Sequence, residues 1–294
     1  MTQAADLLLT NAEVHTLTDP DETYEAVAVR DGRIVRVGPE YELHFLEGVD
    51  TDVVDLDGRV LLPGFVDAHT HLTATGRYLV HADLSGASGP DEAVDRLRAR
   101  ADETAESSES DEWVLGFGYD ESTWEESRYL TRDDLDAVSD TRPVAAFRED
   151  MHVASLNSVA LDRLVDEMPA EDVHREGGDP TGVVVEEAVD PVYETIEPDA
   201  EGTERLVRAA QAYANERGVT GIHDMVRKSR APEVYRALDL SGELSIRVRI
   251  NYWADHLDAL VETGERTNAG SEFVQTGAIK SYTDGSFGGR TAKL

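Results

Sequence analysis

His69 and His71 close the stretch LLPGFVDAHTHL (61–72), in which an apolar run meets a Pro-Gly break and resumes as a short strand. A strand places residues i and i+2 on one face, so both imidazoles aim at one point while Thr70 turns away. Neutral imidazole nitrogen suits zinc and similar divalent ions. Taken alone the pair is a weak sign: the chain has 9 histidines, and a chance pair on a strand is the simpler account. The chain has no cysteine, which removes thiolate ligands and disulfides together.

The elements that must carry this pair follow from the apolar pattern. Residues 1–60 read as β structure, with ADLLLTNAEVHTL and YEAVAVRDGRIVRVG as short alternating runs. Asp31-Gly32 predicts a hairpin, and Asp57-Gly58 in DVVDLDGRVLL predicts a second one. Helices are predicted over 91–105 and 155–168, strands over 113–120 and 142–150, and a turn-rich loop over 174–182. From about residue 203 the pattern is regular. TERLVRAAQAYANERG is a helix closed by Gly218, GVTGIHDM a strand, APEVYRALDL a helix, LSIRVRINYW a strand, DHLDALVETG a helix and TGAIKSYTDG a strand. That alternation implies a parallel sheet wound by right-handed crossovers.

Charge and length set the setting. The 294 residues carry 61 Asp and Glu against 27 Lys and Arg, a net charge of −34. The only lysines are Lys228, Lys280 and Lys293. Such a surface repels nucleic acid and itself at ordinary ionic strength. Molar salt shortens the Debye length to about 3 Å and screens the repulsion. Dispersed acid with few lysines therefore predicts a protein of concentrated salt; the plainer alternative is an acidic protein of an ordinary cytoplasm. The start MTQAADLLLTNAEV lacks a basic segment and a long apolar core, and no apolar run approaches the roughly 18 residues of a membrane span. The expectation is a cytoplasmic chain with no membrane and no nucleic-acid partner.

The hairpin-rich N-terminal sheet followed by LLPGFVDAHTHL resembles the amidohydrolase superfamily where its barrel begins. Six further segments resemble its YtcJ-like branch, also described as AepA-like or amidohydrolase family 3. They are GFGYDESTW (116–124), LDAVSDTRPVAAF (135–147), HVASLNSVAL (152–161), DPTGVVVEEAV (179–189), GVTGIHDM and IKSYTDGSFGGRTAKL (279–294). The motifs run the whole length in order; they specify the family and leave the substrate open.

The resemblance implies an α/β fold: the first half of a TIM-type (β/α)8 barrel after a small β-sandwich at 1–60. Residues 61–294 would hold barrel strands one to four, with an insertion at about 76–200. It implies His69 and His71 as metal ligands and a third ligand, a lysine carboxylated by carbon dioxide on strand four. A lysine ammonium, of pKa about 10.4, has no lone pair for a cation, whereas a carbamate offers two anionic oxygens. Counting strands back from Lys280 puts it in that register, although by itself it reads equally as a surface lysine.

Further residues carry weaker expectations. His223, beside Asp224 near the end of strand two, is a candidate catalytic residue or a hydrogen-bonded core histidine. Asp284, in the Gly-rich loop after strand four, is a catalytic candidate. Asp120, Trp124, His152 and Arg290 are substrate-binding candidates, the tryptophan reading equally as packing. His152 matches a family histidine commonly preceded by Asp-Gly, here Asp150-Met151.

The implied chemistry is hydrolysis of a non-peptide carbon–nitrogen bond in a small-molecule amide, through hydroxide on one or two divalent ions, zinc above others. The family's remaining ligands and its proton-shuttling aspartate belong to strands five to eight, which would follow Leu294. The expectation is a truncated chain with little or no turnover. The rival expectation is a non-catalytic half barrel that assembles with a partner chain or with itself.

Overall fold

The structure, a computed structural model, describes residues 3–105 and 113–281. The chain divides into two compact units, Met1–Phe65 and Val66–Leu294.

The first unit is β structure. Its strands are β1 (Leu7–Thr10), β2 (Glu13–His15), β3 (Thr23–Tyr24), β4 (Ala26–Arg30), β5 (Arg33–Gly38), β6 (Asp52–Asp55) and β7 (Val60–Leu61), with one short helix, α1 (Glu40–Leu43). They form two sheets, ordered β5-β4-β1-β6 and β3-β2-β7. Asp31 and Gly32 have φ of 51° and 71°, the conformation a two-residue hairpin needs, and they join the antiparallel pair β4–β5. Asp57 and Gly58 have the same φ values but no hairpin follows. Here the expectation fails: β6 pairs in parallel with β1 and β7 in parallel with β2, so the turn passes the chain from one sheet to the other.

The second unit opens with β8 (Phe65–Thr70) and α2 (Leu72–Val80). A sheet of its own follows, ordered β13-β14-β12-β11-β10-β9, from β9 (Ala82–Asp83), β10 (Val114–Tyr119), β11 (Val144–Arg148), β12 (Val153–Leu156), β13 (Val173–Glu176) and β14 (Asp179–Val185). Helices α3 (Pro90–Thr104), α4 (Arg132–Asp136), α5 (Ser158–Leu164) and α6 (Asp190–Thr195) accompany it. Two readings are corrected here. The helix expected over 155–168 begins only at Ser158, because Asn157 is fully buried and caps it: its Oδ1 accepts from Ala160 N and Val144 N, both at 3.0 Å. The loop expected over 174–182 is the hairpin β13–β14, turned by Gly177 and Gly178 with φ of 64° and 102°.

The chain then returns through α7 (Ala200–Glu216), β15 (Val219–Val226), α8 (Ala231–Ser241), β16 (Arg247–Trp253), α9 (Leu257–Glu262) and β17 (Val274–Lys280). The order β17-β16-β15-β8 is that of four successive barrel strands, with β15–β16 and β16–β17 parallel. Alternate residues of these strands, among them Ile222, Val226, Val248 and Ile250, pack under Val207, Ala210, Val234 and Leu238 of α7 and α8. Each such burial contributes roughly 1.5–3 kcal/mol, and this layer holds the strand ends that bear the candidate ligands. Asp199 starts α7 by accepting from Gly202 N at 2.8 Å, and Gly218, φ 72°, ends it as the sequence predicts. Among the described residues no helix is long and apolar enough to cross a membrane.

Candidate metal centre

β8 ends at Thr70, and His71 is the residue from which α2 starts. That junction is tied to β15. Leu72 N donates to one Asp224 carboxylate oxygen at 2.9 Å, and the Tyr235 hydroxyl donates to the other at 2.7 Å. Asp224 is 2% exposed, and burial raises its pKa against the opposing effect of those hydrogen bonds. Burial likewise carries the Tyr235 hydroxyl well above its ordinary range. The imidazoles of His69 and His71 stand 5.9 Å apart between ring centres, and both open on a cavity of about 500 Å³ walled in part by Thr75 and Tyr78.

Lys280 meets this pair from 211 residues along the chain: its Nζ lies 3.5 Å from His69 Nε2. Among the described residues no three His, Cys, Asp or Glu side chains gather as a metal would require. Lys280 is the described side chain that the structure brings beside the two imidazoles; carboxylated, its amine would offer the anionic oxygens that the resemblance implies for a third donor.

A β-bulge decides which way Lys280 faces. Arg249 pairs with Gln275 and Ile250 with Thr276, but Tyr252 pairs with Ile279 and Trp253 with Lys280. Four steps along β16 thus match five along β17. In an unbroken strand Gln275 and Lys280, five apart, would face opposite ways; the extra residue puts both on the face of Arg249 and Trp253. Asn251 stands opposite the bulge, 6% exposed, and its Oδ1 accepts from Ala278 N at 2.7 Å.

The other candidates do not join this cluster. His223 is on the same face, but it pairs in register with Arg249, four residues before the level of Lys280. At about 3.3 Å per residue that is roughly 13 Å down the strand. There it lines a cavity of about 220 Å³ with Val66, Arg249 and Gln275. Asp120 caps its own turn, accepting from Ser122 N at 3.0 Å, and lies 3.3 Å from Arg148, which also holds Glu121 and Asp150. The hydrogen bond from Ser122 keeps its carboxyl below the usual range. Trp124 is 4% exposed, stacks on Tyr119 and donates its indole N–H to Ala87 O at 2.7 Å, as the packing alternative expects. His152 is exposed and its Nδ1 lies 3.2 Å from Glu186. The residue before it keeps the glycine-like turn: Met151 has φ of 65°. Asp284 and Arg290 lie outside the described residues.

Comparison with known proteins gives the family and the fold. The model of the amidohydrolase family matches residues 52–294. The N-substituted formamide deformylase of Arthrobacter pascens is 27% identical over 97% of this chain and 55% of its own length. YtcJ of Bacillus subtilis (strain 168) is 28% identical over 96% of this chain and 54% of its own. The crystal structure of an uncharacterised metal-dependent hydrolase from Pyrococcus furiosus superposes with a TM-score of 0.77 at 26% identity, covering 97% of this chain and 57% of that one. The chain thus spans about half the length of the curated relatives it matches. Its α/β architecture is the corresponding part of their barrel hydrolase fold, and the chain belongs to the amidohydrolase family, as a member of amidohydrolase family 3.

Proposed function

We propose that His69, His71 and Lys280 are this chain's share of a divalent-metal centre, with zinc as the ion, in a hydrolase of small-molecule amides. The observation that carries the proposal is the 3.5 Å approach of Lys280 Nζ to His69 Nε2 across the barrel strands. A divalent ion held there would polarise a carbonyl and lower the pKa of its water to about 7. Lys280 contributes only after it reacts with carbon dioxide. Its ammonium loses a proton, the freed lone pair forms an N–C bond as one C–O π pair moves to oxygen, and the nitrogen releases a second proton. The net change is from +1 to −1, which turns a group that repels a cation into one that holds it. His69 and His71 supply neutral nitrogen, with their separation set by the strand end and by the Asp224 anchor on Leu72 N.

The proposed bond is a carbon–nitrogen bond other than a peptide bond. Support comes from the family and from the relative named for deformylation of N-substituted formamides. Turnover is proposed for the whole barrel, of which this chain spans about half the length seen in its relatives. A second reading, assembly with another chain, has one observation in its favour: Val66 and Ile279 on the barrel strands are 60% and 42% exposed. Gel filtration separates the two, since a monomer at micromolar concentration opposes assembly. The metal reading is tested by zinc titration in bicarbonate of the parent chain and the His69→Asn and Lys280→Ala variants. Each variant is expected to lose more affinity than the roughly 10- to 100-fold that removal of an outer partner costs. Parent-like affinity in both variants would refute the assignment.

A further inference from the structure

We propose that Asn251 and Gly277 are positioning residues for this centre: they hold the bulge of β17 that turns Lys280 toward His69. The inference rests on the reading of Lys280 as a ligand.

A bulge leaves one residue without a ladder partner, and its N–H must find another acceptor or be left unsatisfied. Here Asn251 Oδ1 takes the Ala278 N–H at 2.7 Å, from a side chain only 6% exposed. The same oxygen needs room over Gly277. A Cβ at position 277 would collide with Asn251 Oδ1 and lie 2.9 Å from Ile250 O. Glycine is therefore required for the amide to reach the bulge. The neighbouring turn adds Thr267 Oγ1, which donates to Gly277 O at 3.1 Å.

Without the bulge, Lys280 would fall on the opposite face of the sheet, the one that carries Val248, Ile250 and, nearest to its level, Tyr252. Its amine would then point away from His69. The bulge converts a strand that would turn its lysine away from the histidines into one that presents it to them.

The test uses the 294-residue chain and four variants: Asn251→Leu, Asn251→Asp, Gly277→Ala and Lys280→Ala. Two quantities are read, hydrogen exchange at the Ala278 amide and zinc affinity in bicarbonate, with far-ultraviolet circular dichroism to confirm folding. Asn251→Leu is expected to unprotect Ala278 and weaken zinc about 10- to 100-fold, the cost of losing an outer partner. Asn251→Asp keeps the acceptor oxygen and is expected to keep Ala278 protected as in the parent, with zinc bound no more weakly, since the added charge lies on the ligand face. Gly277→Ala, which disturbs the bulge from within β17 itself, is expected to follow Asn251→Leu, and it decides the question if Asn251→Leu does not fold. If Ala278 loses protection while zinc binds as in the parent, and Lys280→Ala still weakens zinc, the positioning role is overturned and the ligand reading stands. If Lys280→Ala binds zinc as the parent does, the ligand reading fails, and the purpose assigned to the bulge fails with it.

Discussion

At the scale of single residues, two ionisable groups, one buried and one half-buried, make measurable claims. Asp224 accepts from Leu72 N and the Tyr235 hydroxyl in a site almost closed to water. Asp224→Ala strands both donors, so a stability loss of about 2 kcal/mol is expected in urea unfolding. A change within error would show that the junction after His71 does not depend on it. His81 is the second case. Burial against Phe117, with Arg77, Arg100 and Arg205 adding repulsion, lowers its pKa from 6.5 to about 4. The unfolded chain therefore takes up a proton between those values while the folded chain does not. Stability present above pH 6.5 is lost as pH falls toward 4, by at most about 3 kcal/mol. His81→Gln is expected to flatten that part of the urea midpoint against pH; an unchanged slope would contradict the argument.

At the scale of elements, the helix that begins after His71 is held by close approach to its neighbour. A Cβ on Gly76 would collide with Leu206 O of α7. Gly76→Ala is expected to push α2 from α7 and cost about 1–3 kcal/mol in thermal or urea unfolding; a stabilised variant would show that the helices have slack. Much of this level was legible in the sequence. Apolar alternation located β15, β16 and β17, Asp31-Gly32 gave its hairpin, and the residue pattern put His69 at a strand end; His71 lies one residue past that strand, at the start of α2. What escaped depends on contacts distant in sequence. The turn at Asp57-Gly58 has hairpin chemistry, but its flanking strands choose partners in different sheets. Asn157 reads as an ordinary residue inside a helical pattern until its cap and its bonds to another strand are seen. The bulge reverses the face of Lys280, which no period-two count supplies; Gly277 inside the strand was the one local sign of it. Trp124 and Asp120 resemble site residues by motif; the burial of the one and the Arg148 partner of the other lie in contacts that local sequence does not show.

At the scale of the whole molecule, charge and chain separation make the strongest demands. A net charge of −34 on 294 residues opposes compactness in dilute buffer. We propose adaptation to concentrated salt, and the melting temperature is expected to rise from about 0.1 M to about 2 M KCl as the repulsion is screened. Equal melting in both would place the protein in ordinary salt. The same molecule folds so that the ends of β8 and β17, 211 residues apart, present an imidazole and an amine to each other at 3.5 Å. The most direct test of that juxtaposition as a metal centre is carbon-13 magnetic resonance of the chain in labelled bicarbonate with zinc. A carbamate resonance that appears with zinc and is absent from Lys280→Ala is the result predicted. A parent spectrum without such a resonance, or one that persists in the variant, would contradict the account.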